Sequence, residues 1–188
     1  MSGYGERPEI NVREFAESQR NLLLYANHWP KKQTFQGGIE ILDATNGIVN
    51  QFDYEIGTWT PVVADAVSGG NAGTHSGVAA NNWYIKTGDI YQVHFSLIDI
   101  DTTGLTAGNV FYIQGIPATS SSVNTSATCS PNVRNMTLAG NYTIALISSS
   151  VSSILLRNID GTGTFDNVLV SEITTGSADI FGLITYRV

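Results

Sequence analysis

Between Tyr91 and Leu97 the chain alternates strictly: Tyr91, Val93, Phe95 and Leu97 are apolar, and Gln92, His94 and Ser96 between them are polar. A period of two puts the apolar set on one face of a strand and the polar set on the other, as in an antiparallel strand with one side on a core. Similar runs occupy residues 110–116, 142–147, 154–157, 165–170 and 180–188, with Gly, Asn and Ser between them. From Thr58 onward every signal is strand. Seven or so such strands predict a mainly β fold, an antiparallel β-sandwich or jelly roll. The absence of strand–helix alternation argues against the nucleotide-binding α/β folds.

The chain of 188 residues suffices for one well-buried β domain with a short added segment. Only 13% of the residues are charged, against about 25% in an ordinary soluble protein. A surface so poor in charge commonly faces other protein. The net charge of −7 comes with no basic cluster, so the attraction to phosphate backbones that nucleic-acid binding requires is missing. The single cysteine, Cys129, excludes an intramolecular disulfide framework and is compatible with assembly in a reducing cytoplasm. The first 15 residues lack the apolar core of a signal peptide, and nowhere do about 18 apolar residues run together. The expectation is a soluble protein that does not insert in a membrane and that, if it leaves the cell, does so in a particle.

Three regions are predicted. Residues 1–30 form an extended arm, with Gly3, Gly5 and Pro8, followed by a short α-helix with Asn11 as N-cap and Glu14 at the capping-box position. Val12, Phe15, Gln19, Leu22, Ala26 and Trp29 follow at alternating spacings of three and four, a heptad-like seam that Pro30 ends. Because an isolated helix of this length is marginal in water, its apolar residues, Leu23 among them, need a partner surface. Two readings stand: a helix folded back on the β domain, or a trimerising or docking helix with Gln19 as a polar layer that fixes register. Residues 31–53 are a β connector, with Phe35, Ile39 and Ile41 alternating as in a strand. Residues 54–188 are the knob.

The segment YEIGTWTP, residues 54–61, supplies a further signal. An acidic residue before G-T-W-T-P (Glu55, then Gly57, Thr58, Trp59, Thr60 and Pro61) is followed by Tyr84, Lys86 and Gly88 opening the long strand 91–97. Next come Gly108, Asn109, Ile113, Gly115, Ile116 and Pro117, and finally the terminal stretch from Gly182 to Tyr186. In this order the set resembles the C-terminal domain of bacteriophage tail fibre and tailspike proteins, over most of the chain. The last stretch has one residue more between Gly and Tyr than the family pattern. The resemblance implies a homotrimeric β knob borne on a virion appendage, with other virion proteins held through the N-terminal arm. It also implies a surface that touches host glycans or proteins. The alternative is a purely structural head fibre, capsid decoration or neck adaptor, favoured by the short stretch of about 50 residues before the knob.

Signals for chemistry are sparse. His28, His75 and His94 are scattered without metal-ligand spacing, although a threefold axis would bring three copies of His94 together. Asp99, Asp101 and Gly104 echo the start of a calcium loop without its third carboxylate or distal Glu. Asp99 with Asp101, and Asp160 with Asp166, are the only carboxylate pairs worth weighing for glycoside cleavage, and both lie in turn-like contexts. Gly161 and Gly163 suit a hairpin turn. No enzyme activity and no cofactor are expected. The sequons at Asn124, Asn135 and Asn141 are chance matches in a Ser/Thr-rich chain. The candidate ligand-binding residues are His75, Asn81, Asn82 and Trp83, in and beside the glycine-rich loop 64–82, where an exposed aromatic would stack on a sugar ring. The competing reading of Trp83 is a core or interface aromatic.

Overall fold

The computed structural model describes residues 40–43, 47–51, 54–123, 127–138, 140, 142–160 and 162–188, within a compact unit spanning Glu40–Val188. It is mainly β. The strands are β1 (Glu40–Asp43), β2 (Gly47–Gln51), β3 (Tyr54–Thr58), β4 (Val62–Ala64), β5 (Trp83–Thr87), β6 (Ile90–Ile100) and β7 (Tyr112–Gln114). They continue with β8 (Ala127–Cys129), β9 (Asn132–Arg134), β10 (Tyr142–Ile147), β11 (Ser153–Ile159), β12 (Phe165–Asn167) and β13 (Ala178–Arg187). All pairings are antiparallel. β1 and β2 form a hairpin in the stretch expected to be a β connector. The remaining strands form two sheets: β3-β5-β6-β13-β9, called sheet I here, and β4-β7-β11-β10-β8 with β12 beside β11, called sheet II.

The alternation in β6 sorts its side chains as a period of two requires. Val93, Phe95 and Leu97 are fully buried, and Gln92 and His94 lie on the opposite face. Opposite β6, Ile180 and Ile184 of β13 face the same core, together with Ile113, Ala145, Ile147, Ile154 and Leu156 from sheet II. One apolar cluster therefore joins the inner faces of both sheets. At about 1.5–3 kcal/mol for each large apolar side chain withdrawn from water, this burial is the main term holding the sheets together.

Turns follow from local chemistry. β5 and β6 are joined by Gly88-Asp89, a two-residue loop with Gly88 at φ 57°, a conformation that L side chains seldom adopt. β11 and β12 are joined around Asp160, whose carboxylate accepts the N–H groups of Thr162 and Thr164 at 2.9 Å each; this is the hairpin expected from Gly161 and Gly163. Buried Asp65 ties two loops together, accepting from the N–H of Asn71 at 2.8 Å and that of Thr106 at 3.0 Å. These bonds, Thr106 foremost, hold its carboxyl far below the usual carboxylate range.

Two expected strands are corrected. The run 110–116 yields only Tyr112–Gln114 as a strand, with an isolated bridge from Val110 to Leu169. The run 165–170 stops at Asn167, and a 3-10 turn over Val170–Glu172 then carries Val170 into the core. Phe111, Ile113 and Ile116 in the first run and Val168 and Val170 in the second are apolar because they are buried, and burial does not require a ladder at every residue. The expected N-terminal helix, with Val12, Phe15, Gln19, Leu22, Leu23 and Trp29, lies outside the described residues.

Candidate functional site

The motif residues 57–61 make a corner where β3 ends. Gly57 pairs with Tyr84, whose ring lies where a Cβ on Gly57 would sit. The Tyr84 hydroxyl donates to the Glu55 carboxylate, which raises the phenol pKa. Thr58 ends the strand and Thr60 is exposed. Trp59 is buried, and its indole N–H donates to the His94 carbonyl at 2.8 Å. The Pro61 carbonyl faces His75 Nε2 at 3.2 Å. At the other end of the chain, Gly182 lies across from Phe95, whose ring fills the space a Cβ would need. The Tyr186 hydroxyl donates to the Ala118 carbonyl at 2.9 Å. Each of these motif residues except the exposed Thr60 therefore has an architectural task.

The four loop residues proposed as ligand contacts separate. Asn82 is fully buried and is withdrawn from the set: its Oδ1 accepts the Ser96 N–H at 2.7 Å, and its carbonyl accepts the Trp59 N–H at 2.9 Å. It pins the 57–61 corner to β6, and its buried amide has no surface to offer a ligand. His75 is half-buried and held at both ring nitrogens. Nδ1 accepts the Gly77 N–H at 3.2 Å, which leaves Nε2 as the donor to Pro61. Asn81 is exposed, and its carbonyl accepts from His94 Nδ1 at 2.6 Å. Trp83 is half-buried, its ring parallel to that of His94 at a centroid distance of 5.2 Å. One face of the indole is thus already covered within the chain. His94, which sequence alone placed on the polar face, belongs with Asn81 and Trp83.

A scan against protein-family models finds no match, and a search of curated proteins finds no significant one.

Around this cluster, the outer face of sheet I carries exposed apolar side chains among polar ones. Tyr54 and Ile56 of β3 are 60% and 64% exposed, and Ile90 of β6 and Leu183 of β13 are also exposed. The pairing registers put Tyr54, Thr87, Ile90 and Arg187 in one row and Ile56, Ile85, Gln92 and Thr185 in the next, with Leu183 opposite His94 beyond them. Arg187 and Asp89 pair at this end, 3.3 Å apart, and Glu55 and Lys86 lie opposite each other on β3 and β5.

Elsewhere the carboxylates serve turns. Asp101 accepts from the Thr103 hydroxyl at 2.6 Å and its N–H at 2.9 Å, and Asp99 from the Ser76 hydroxyl at 3.0 Å. The Thr103 bonds lower the Asp101 pKa, and those from Thr162 and Thr164 lower that of Asp160. A general acid in glycoside cleavage needs a raised one. Among the described residues, no group of three His, Cys, Asp or Glu is placed to hold a metal, and no helix is long and apolar enough to cross a membrane.

Proposed function

We propose that this chain is a structural protein of a bacteriophage virion, a short tail-fibre-type appendage whose knob assembles as a homotrimer and contacts the host cell surface. The observation that carries the reading is the set of exposed apolar side chains on the outer face of sheet I. Tyr54, Ile56, Ile90 and Leu183 stand exposed on one side of a sheet, interspersed with Thr87, Gln92 and Thr185, in a chain with only 13% charged residues. Large apolar side chains gathered on one exposed face mark an interaction surface, and copies of the same chain would cover them. The ordered motif set from Glu55 to Tyr186 supplies the appendage part of the reading. Attachment to other virion proteins falls to the N-terminal arm, and the turn-bound carboxylates support a non-enzymatic role.

One observation favours the alternative, a head fibre, capsid decoration or neck adaptor without a receptor: His75 and Asn82 spend their polar groups inside the chain. The deciding experiment is cryo-electron microscopy of the intact particle. We expect trimers at the tail or baseplate periphery with the β unit pointing outward. Many copies on the capsid lattice, or a ring at the neck, would establish the alternative. A monomer in the particle and in solution would overturn the trimer.

A further inference from the structure

Sheet II carries an opening that no part of the sequence reading anticipated. β8 pairs with β10 only over Ala145–Ile147. At Ser130 and Pro131 the chain leaves sheet II for β9 in sheet I, because Pro131 has no N–H with which to extend the ladder. Among the described residues, the first half of β10, Tyr142 to Ile144, therefore has no strand on that side. A groove of about 610 Å³ lies there, walled by Ser130, Asn132, Leu138, Tyr142, Thr143 and Ile159.

Three features define what would fit. First, Tyr142 pairs with Ile159, and Ile159 with Phe165, so the three side chains stand on one face in a row. Tyr142 is 71% and Phe165 54% exposed. They are two strand spacings apart, about 9–10 Å, which matches alternate rings of an extended pyranose chain. Second, the groove wall includes no carboxylate, amine, guanidinium or imidazole. With a net charge of −7 on the chain, anionic ligands are repelled at long range. Third, among the described residues the Ser130 hydroxyl and the Asn132 amide have no hydrogen-bond partner, and both are exposed at the groove. Aromatic faces for C–H surfaces, neutral donors and acceptors for hydroxyls, and a groove wall without charge are together the recognition chemistry of an uncharged sugar; Arg157, in the next row of the aromatic face, donates its Nε–H to Asn167 at 3.1 Å.

We infer that the Tyr142 groove and the row that runs from it through Ile159 to Phe165, which stands outside the groove wall, bind a neutral glycan, with Tyr142 and Phe165 stacking on two of its rings and Ser130 and Asn132 bonding its hydroxyls. The inference rests on the host-contacting reading above and moves the ligand from the 75–83 loop to the opposite sheet.

The test is affinity electrophoresis of the purified full chain in gels containing dextran, galactomannan, mixed-linkage β-glucan or hydroxyethylcellulose, together with a printed array of neutral and anionic oligosaccharides. We expect at least one neutral glycan to be bound, with affinity falling at least tenfold in Tyr142→Ala and in Phe165→Ala at unchanged melting temperature. Tyr142→Trp should retain binding, as should His75→Ala. Three results would overturn the site: no neutral glycan bound, binding undiminished in both alanine variants, or binding restricted to anionic glycans. Because the readout uses the isolated chain, its failure is distinct from failure of the virion reading, which particle localisation decides.

Discussion

Gly182 lies in register with Phe95, and the ring occupies the volume of the missing side chain. Gly182→Ala should therefore force the ring or the strand to move, costing about 1–3 kcal/mol as an overpacked core does. The cost, read from urea midpoints, should fall by more than half in a Phe95→Leu background, and equal costs in both backgrounds would show that the ring is not the obstacle. Asp65 makes a second prediction. Its folded pKa is depressed by the Thr106 N–H and the Asn71 amide, so the unfolded chain binds its proton more readily. The stabilisation is whole above the ordinary carboxylate value near 3.8 and is lost as pH falls below it. We expect Asp65→Asn to melt lower than the native chain at pH 7, with the gap narrowing below pH 4; a gap independent of pH would refute the linkage. At this scale the sequence was only partly legible. The alternation around Phe95 announced a buried ring. Nothing periodic distinguished Asn82, in a loop rich in Gly and Asn, as a buried bridge, because its partners at Trp59 and Ser96 are set by tertiary pairing.

Among the elements, β8 carries the one cysteine. Burial pushes the Cys129 thiol up to about 11 from 9.0, which cuts its thiolate fraction about a hundredfold at mildly alkaline pH. Labelling with a disulfide reagent at pH 8 should be about a hundred times slower than in urea, and equal rates would mean that β8 opens readily. The strands themselves were legible where one face meets the core along the whole length, as in β6 and β13. They were not legible at 165–170, where a 3-10 turn buries Val170 as well as a strand would have done. The groove at Tyr142 was invisible for a related reason: it exists because β8 turns away from β10 halfway along, and no local pattern encodes a missing partner.

On the scale of the whole molecule, a mass of about three times 20.2 kDa is expected by light scattering. Replacing Ile56 and Leu183 together with Lys should release monomers that keep their fold by circular dichroism, since like charges in the middle of a contact outweigh its apolar gain. Trimers that survive the double change would place the contact elsewhere. The pairing of β6 with β13 has a separate consequence, for biosynthesis. Asp89 and Arg187, joined at one end of this ladder, are 98 positions apart in the chain, and β13 separates β6 from β9 in the sheet. While the ribosome is still making the residues before Ala178, β6 has one edge unpaired and Val93, Phe95 and Leu97 lack their neighbours Ile180 and Ile184, a template for pairing with a neighbouring nascent chain. Closure at such long range is slow. Chains interrupted before β13 should accumulate as aggregates and not as folded fragments, so that only copies translated through Arg187 reach the pool from which oligomers are drawn.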